Sequence, residues 1–436
     1  MNKIKPRTLK GFRDFFGEEL QQRKQIIGII EQIFQKYGYE PLETPALEYF
    51  DILMGKYGEE EKLVYNFEDF GGRRVAMKYD LTVPTCRVLA QYPNKINLPW
   101  KRYQMQPVWR ADNTQKGRFR EFWQCDADVL GCKDTLAEAE YITMGIEILT
   151  KLGFKDFLVR INNRKILNAI AEYTGREDKF TDIVYAIDKW EKRPIEDTVT
   201  DLIQRGLTAT EADKVVACVQ SSEKDSLKAL DRLAKLLKDT KDGLSGINEL
   251  REIFRLTKNP RYLVYDSTIA RGLAYYTGPV WEWTIIEGGV GSVGGCGRYD
   301  ELVASFSGRD IPATGGSFGI ERIIEVMRER DMLPKATVTT KILVTVFNQD
   351  NALQSFEVAN ALREKGIATL VFPEYKSLGK QFEYASKKGI PFAVIIGEDE
   401  AKKKLVTLKT LTTREQEQLT LEELIAKLSI NYGNVN

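Results

Sequence analysis

The residue types of this chain limit its possible chemistry from the start. It has 436 residues and contains no histidine. That excludes Ser-His-Asp and Cys-His catalysis, histidine general bases and histidine-based zinc sites. An active site here must use Arg, Lys, Asp, Glu, Tyr and backbone dipoles. Arginine suits phosphate chemistry, because its planar guanidinium binds phosphate oxygens in pairs and stays charged.

Residues 100–131 carry the most informative spacing of such side chains. Polar and apolar residues alternate along two arms, which predicts a β-hairpin with one apolar and one polar face. Arg110 ends the polar face of the first arm, and Gln124 and Asp128 lie on the polar face of the second. The connection, 111–120, is polar and basic and contains a glycine. On spacing alone, Arg110 is more often a surface arginine than a phosphate ligand.

Composition favours a globular protein of two or three domains, with 43% hydrophobic and 29% charged residues. A net charge of +1 means that nucleic-acid binding would depend on local basic clusters.

The five cysteines are odd in number and form no Cys-x-x-Cys pair, so we expect neither a disulfide framework nor a metal site. With no apolar run of membrane length and no signal sequence, we expect a cytoplasmic protein without membrane contact.

Three stretches outside the hairpin have clear patterns. An apolar stripe with a 3.6-residue period predicts a helix over 18–37, stopped by Gly38. Residues 164–250 are rich in charge and lack strand alternation, which predicts a helical insertion. After residue 337, short apolar runs alternate with helical stretches, which predicts a separate domain with a parallel or mixed sheet.

An ordered set of motifs along the chain carries a family resemblance, which begins at GFRDFF (11–16). With the hairpin and the GIER run (319–322), the chain resembles class II aminoacyl-tRNA synthetases. The further resemblance to histidyl-tRNA synthetases is carried by four runs, which are KYDLTVPTCR (78–87), GRFREFWQCDADVLG (117–131), ARGLAYYTGPVWEW (270–283) and GGCGRYDELV (294–303).

The resemblance implies an α+β fold. Its catalytic domain, 1–335, would be an antiparallel sheet flanked by helices and interrupted by the insertion at about 164–250. A C-terminal α/β anticodon-binding domain would span 338–436, and the protein would be a homodimer. The implied reaction joins L-histidine to ATP as histidyl-adenylate and then transfers it to tRNA(His). Mg²⁺ is expected with the ATP, and no tightly bound cofactor.

The resemblance also implies roles for particular residues. Arg110 would hold the α-phosphate and the carboxylate, and Arg271 would lie near the α-phosphate. Asp112 would read adenine, Phe122 would stack on it, and Arg322 would bind at the ATP tail. The basic loop would contact the tRNA acceptor end through Gln115, Lys116, Arg118 and Arg120, although a solvated charged turn is the alternative.

The same resemblance implies a histidine pocket. Asp80 and Thr82 would face the ammonium group, while Gln124 and Asp128 would reach the ligand from one strand face. Tyr275, Tyr276 and Tyr299 would form walls and donate hydroxyls, although a tyrosine pair is more often core packing. Ala274 departs from the aspartate common in the family, so a carboxylate role at that position is in doubt.

The sequence leaves two other functions open. The glycines at 289–294 fit G-x-G-x-x-G, with Asp310 as a later acid, but no second apolar strand precedes that acid as a dinucleotide site requires. A non-catalytic synthetase paralogue that regulates histidine biosynthesis is the second alternative. That relative lacks the anticodon domain and has lost site residues, whereas Arg110, Arg271 and Arg322 are present here.

Overall fold

Two units make up the chain, and each has its own sheet. The computed structural model describes residues 4–190, 194–220, 225–270, 275–336 and 338–432. The units are Met1–Pro334 and Lys335–Asn436.

An eight-stranded sheet forms the centre of the first unit. Its strand order is β1-β5-β6-β11-β10-β9-β7-β8, and all neighbours are antiparallel except β1/β5 and β7/β8. A separate three-stranded antiparallel sheet has the order β2-β4-β3. The strands are β1 Glu40–Pro41, β2 Leu47–Tyr49, β3 Asn66–Glu68, β4 Arg74–Met77, β5 Trp100–Trp109, β6 Glu121–Leu130, β7 Phe157–Asn163, β8 Leu263–Tyr265, β9 Pro279–Ile285, β10 Ser292–Arg298 and β11 Ala313–Gly319.

The predicted hairpin is formed by β5 and β6, which pair from Trp100↔Leu130 to Trp109↔Glu121. Its apolar face packs in the main core, where Tyr103 and Cys125 are buried. Its polar face is buried as well, since Arg102 and Asp128 have no exposed surface. The hairpin therefore places charged side chains inside the unit, where each needs a partner.

Helices flank the large sheet. The first, α1, spans Gly17–Lys36 and buries the predicted stripe of Ile26, Ile30 and Phe34 against it, and Gly38 follows with φ +77°. The helices of this unit are α1 Gly17–Lys36, α2 Phe50–Leu53, α3 Thr82–Gln91, α4 Leu136–Lys151, α5 Arg164–Thr174, α6 Phe180–Asp188, α7 Ile195–Gln204, α8 Ala209–Val219, α9 Ser226–Leu236, α10 Gly243–Leu256, α11 Ala304–Ser307 and α12 Ile320–Glu329.

The charge-rich stretch between β7 and β8 folds as helices α5 to α10. Several begin with side-chain caps: Asn163 accepts from Lys165 N–H, Thr208 forms a capping box with Glu211, and Asp225 accepts from Leu227 N–H. Since β7 and β8 are adjacent and parallel, the helical stretch is a long crossover that returns to the same sheet.

The second unit has a five-stranded mixed sheet of order β13-β12-β14-β15-β16. Strands β13, β12 and β14 are parallel and the last two pairs are antiparallel, as the alternating pattern predicted. The elements are β12 Ile342–Val344, α13 Ala352–Glu364, β13 Thr369–Val371, α14 Leu378–Lys387, β14 Phe392–Ile395, α15 Glu398–Lys403, β15 Val406–Thr410, β16 Gln416–Leu419 and α16 Leu421–Tyr432.

Candidate active site

One cavity of about 530 Å³ opens over the large sheet between the β5–β6 loop and the start of α12. Strands β6, β9, β10 and β11 contribute to its floor. The residues that line it include Glu60, Arg110, Asp112, Gly117, Arg118, Phe119, Phe122, Gln124, Tyr276, Glu282, Gly295, Cys296, Ser317 and Arg322.

Three guanidinium groups face this cavity. Arg110 donates from Nε to the Tyr79 carbonyl at 3.0 Å. Arg118 donates to Asp112 at 2.9 Å, and Arg322 donates to the Ser292 carbonyl. Burial, followed by the positive charges of Arg118 and Arg110, holds the pKa of Arg322 below its usual value. Like charges gathered in one cavity repel, and an anion bound between them would relieve that repulsion.

Local backbone geometry positions two of these groups. The β5–β6 loop turns back through reciprocal backbone hydrogen bonds between Gln115 and Arg118, of 3.1 and 2.9 Å. Gly117 has φ +67°, and a Cβ there would lie 3.1 Å from Cγ of Arg322. Glycine thus lets the loop lie directly against the first turn of α12.

Arg110 also lies against two aromatic rings. Its guanidinium carbon is 4.2 Å from the ring centroid of Tyr79 and 5.2 Å from that of Phe122. The Tyr79 hydroxyl in turn donates to Glu60 at 2.6 Å. These contacts fix the guanidinium plane at the wall of the cavity.

A buried carboxylate cluster lies beside the cavity. Asp80 accepts from the Tyr57 hydroxyl at 3.1 Å, the Tyr275 hydroxyl at 3.3 Å and the Val83 N–H at 3.0 Å. Burial raises the pKa of Asp80, while these hydrogen bonds and the charge of Arg110 oppose the rise. The arrangement is a buried acceptor site of a kind that suits an ammonium group.

The second carboxylate of the cluster is Asp128. It forms an ion pair with Arg102 and accepts a hydrogen bond from the Tyr299 hydroxyl. Burial raises the pKa of Asp128, and the charge of Arg102 opposes that rise. The ring of Tyr275, whose hydroxyl donates to Asp80, has its centroid 5.2 Å from that of Tyr276 and 5.7 Å from that of Tyr299.

Glycines in β10 and β11 allow the close packing of this region. A Cβ at Gly297 would lie 2.6 Å from the Tyr276 ring, and one at Gly315 would lie 2.4 Å from an Asp128 carboxylate oxygen. Larger residues at either position would displace the tyrosine or the carboxylate.

The predicted site residues therefore fall into three groups. Arg110, Asp112, Phe122, Gln124, Tyr276 and Arg322 line the cavity, while Asp80, Thr82, Asp128, Tyr275 and Tyr299 are not among its lining residues. Thr82 is buried at the first position of α3. Arg271, and with it Ala274, lies outside the described residues.

The residues expected to contact tRNA do not all face the same way. Gln115 and Lys116 are exposed, and Lys116 forms an ion pair with Glu329. Arg118 lines the cavity, and Arg120 donates to the Asp112 carbonyl at 3.1 Å.

Sequence reasoning missed Glu60, Phe119 and Glu282 as lining residues. For Glu282 a signal existed, because it alternates with two tryptophans in β9. Burial raises the pKa of Glu282. Among the residues described, no group of three or more acidic or cysteine side chains could hold a metal ion by itself.

Comparisons with known proteins show the family of this chain. Residues 11–323 match the family model for histidyl-tRNA synthetase, and residues 341–431 match an anticodon binding domain. The chain belongs to the histidyl-tRNA synthetase family. A histidine–tRNA ligase from Cytophaga hutchinsonii is 39% identical, covering 97% of this chain and 99% of the relative. One from Christiangramia forsetii is 37% identical, with 97% and 99% coverage.

Solved structures of the family share the fold. Histidyl-tRNA synthetase from Nostoc has a TM-score of 0.84 and 30% identity, covering 98% of this chain and all of that one. A Bacillus halodurans protein described as an ATP phosphoribosyltransferase regulatory subunit/histidyl-tRNA synthetase has a TM-score of 0.72 at 21% identity, which shows the fold alone. The match of residues 341–431 to an anticodon binding domain, and the relatives named histidine–tRNA ligase over nearly the whole chain, favour the synthetase over the regulatory alternative.

The fold also removes the dinucleotide alternative. The glycines at 289–294 lie in and after the turn between β9 and β10, which are antiparallel neighbours. A dinucleotide fingerprint needs a parallel β-α-β unit at that place. Separately, none of the described helices is long and apolar enough to cross a membrane.

Proposed function

We propose that the cavity joins histidine to ATP, releasing pyrophosphate, and that the histidyl-adenylate then acylates tRNA(His). The observation that carries this proposal is the placement of three guanidiniums, Arg110, Arg118 and Arg322, around one cavity beside buried carboxylates and tyrosines. The family uses ATP as a substrate. Its reaction builds negative charge on the α-phosphate, which fixed positive groups stabilise.

We assign the nucleotide to the side formed by the β5–β6 loop and α12. Arg110 binds the α-phosphate and the histidine carboxylate, and Arg271 acts beside it. Phe122 stacks on adenine and Asp112 reads its edge. Arg322 binds at the ATP tail.

Histidine is assigned to the opposite side. The carboxylate of Asp80, with Thr82, receives the ammonium group. Gln124 and Asp128 face the imidazole nitrogens, since both lie on the polar face of β6. Tyr275, Tyr276 and Tyr299 enclose the ring, and the hydroxyls of Tyr275 and Tyr299 donate to Asp80 and Asp128. Hydrogen bonds to ring nitrogens are the type of contact that strongly rejects analogues lacking them.

Mg²⁺ enters with the ATP phosphates in this proposal. Glu282 is a half-buried carboxylate in the cavity, and Arg322 is one of the charges that act on its pKa. Its oxygens fit a hard cation held mainly by phosphate. Bound Mg²⁺ would neutralise part of the phosphate charge.

The tRNA is shared between the two units. Lys335–Asn436, which contains the anticodon-domain match, binds the anticodon, and the exposed Gln115 and Lys116 reach toward the acceptor end with Arg118 and Arg120. In this proposal the catalytic domain spans 1–335 and the anticodon-binding domain spans 338–436. Because charged tRNA serves translation, a cytoplasmic location is proposed with it.

A homodimer is also proposed. Leu47, Tyr49 and Tyr92 are 41–55% exposed and line a shallow groove of about 710 Å³ around β2. Exposed apolar patches of this kind mark interaction sites. Sedimentation equilibrium should show twice the chain mass, and Tyr49→Glu should shift it toward the monomer while Leu227→Glu, an exposed change in α9, should not. A monomeric parent protein would refute the dimer.

Amino-acid-dependent exchange of labelled pyrophosphate into ATP tests the reaction. We expect exchange with histidine and background levels with the other standard amino acids. Transfer of labelled histidine to tRNA(His), but not to another tRNA, tests the second step. Exchange that is absent with histidine, or equally fast with a different amino acid, would overturn the proposal.

A further inference from the structure

The GFRDFF segment, residues 11–16, is not used by the reaction proposed above, yet it is bonded to the β5–β6 loop. The Gly11 carbonyl accepts the Arg120 N–H at 2.9 Å. Gly11 has φ +87°, and a Cβ there would lie 2.8 Å from Arg120 Cγ and 2.9 Å from Thr114 Cγ2. The segment thus touches both sides of the loop that borders the cavity.

Arg13 extends the connection through its side chain. Its guanidinium carbon is 3.3 Å from the ring centroid of Phe119, a distance at which the two planes are in contact. The same guanidinium pairs with Glu321. Phe119 lines the cavity, and Glu321 immediately precedes Arg322 in α12. Arg13 therefore joins the loop to the helix on the outer side of the cavity wall.

Glu321 does not depend on Arg13 for its charge balance. Arg23 from α1 binds both carboxylate oxygens of Glu321, at 2.9 and 2.8 Å, and both side chains are 5% exposed. The Trp123 N–H adds a further contact at 3.3 Å. Arg13 is the outer partner, with 26% of its side chain exposed. Its loss leaves Glu321 paired but removes the guanidinium that covers Phe119.

We propose that Arg13 is a positioning residue for the nucleotide, acting through Phe119. The guanidinium holds the ring in the cavity wall, and the ring holds the loop segment that carries Arg118. This inference rests on the proposed function, because it assigns that wall to ATP. Histidine binding should not depend on Arg13, because the histidine side of the site is formed by β6, α3 and the tyrosines.

Steady-state pyrophosphate exchange with Arg13→Ala tests the role. The KM for ATP should rise roughly threefold to thirtyfold, the range that a cation–π contact corresponds to. The KM for histidine should stay at the parent value. Arg7→Ala, an exposed change in the same N-terminal stretch, is the matched control and should alter neither constant. Equal rises in both constants, or no rise for ATP, would overturn the inference.

A double-mutant cycle with Phe119→Ala tests the route of action. If Arg13 acts through the ring, Arg13→Ala should add little to the effect of Phe119→Ala. Fully additive effects would show that Arg13 acts elsewhere and would refute the proposal. Arg13→Lys, which keeps a charge beside Glu321 but loses the planar contact, should also raise the KM for ATP. If thermal unfolding shows that Arg13→Ala has lost the fold, the KM of Arg13→Lys for ATP is the test instead. Failure of histidine-dependent exchange in the parent protein would instead refute the proposed function.

Discussion

At the scale of single residues, the site is a set of charged and polar groups that the fold holds in place. Arg110, Arg118 and Arg322 face one cavity, and the pKa of Arg322 is lowered by burial and by its two neighbours. Asp80 and Asp128 lie beside them as carboxylates with raised pKa values. Guanidiniums in the cavity and carboxylates beside it suit a substrate pair of a phosphate and an ammonium ion.

The arginines assigned to the α-phosphate give the first prediction. Arg110→Ala and Arg271→Ala should each slow adenylate formation by about 10²–10³, or about 2.7–4 kcal/mol, because each removes a preorganised positive group. Single-turnover formation of histidyl-adenylate measures this rate. Arg309→Ala, an exposed arginine, is the control. A near-parental rate for Arg271→Ala would remove that residue from the site.

Asp126 gives a prediction about pH. Burial raises its pKa to about 8, so the folded protein keeps a proton that the unfolded chain releases near pH 4. The contribution of Asp126 to the free energy of unfolding is complete below the unfolded-state pKa near 4. It is lost as the pH rises through the folded-state pKa of about 8.

Urea unfolding of the parent protein and Asp126→Asn, from pH 5 to 9, measures this effect. The free energy of unfolding of the parent should fall relative to Asp126→Asn by at most about 1.4 kcal/mol per pH unit. A difference that is constant across this range would show that Asp126 does not titrate in this way.

At the scale of elements, glycine content decides how closely β10 and β11 approach their neighbours. A Cβ at Gly315 would lie 2.4 Å from the Ala127 carbonyl, whereas one at Gly295 would meet nothing within 4 Å. Gly315→Ala should therefore lower the free energy of unfolding by about 1–3 kcal/mol, and Gly295→Ala should change it by less than about 0.5 kcal/mol. Chemical denaturation of both variants checks this, and equal losses would contradict it.

The alternation of polar and apolar residues predicted the strands of the hairpin but not how deeply their polar face is buried. Period-2 alternation placed Gln124 and Asp128 on the polar face of the hairpin, and the structure agrees. Alternation cannot show that this face is also buried, because it reports the side of a strand and not what covers it. The covering comes from distant segments, such as the one bearing Tyr299, that meet the hairpin only in the folded chain.

The site shows the same limit. Arg110, Phe122 and Arg322 were predicted from motifs, and the structure brings them to one cavity. Phe119 and the contact that Arg13 makes with it were not predicted, since they depend on how an N-terminal segment crosses a loop more than a hundred positions away.

At the scale of the whole molecule, the chain consists of two units with separate cores. The second unit has its own core, which includes the buried residues Ile342, Val344 and Leu424. The residues that line the cavity all belong to the first unit. Histidine activation and tRNA recognition should therefore be separable.

Truncation after Pro334 tests that separation. The shortened protein should keep histidine-dependent pyrophosphate exchange but charge tRNA poorly, because the anticodon contacts are lost. Full charging by the truncated protein would refute this division, and the intact chain under the same conditions is the control. A loss of exchange that accompanies normal thermal unfolding would show that activation needs the second unit.

The central claim is that one cavity holds the nucleotide phosphate beside the histidine pocket. A crystal structure with a non-hydrolysable histidyl-adenylate analogue tests it most directly. The account predicts the phosphate-mimicking group within about 3 Å of the Arg110 guanidinium, adenine against Phe122 and imidazole beside Asp128. An analogue bound away from these residues, or with its adenine in the cluster around Asp80, would contradict the account.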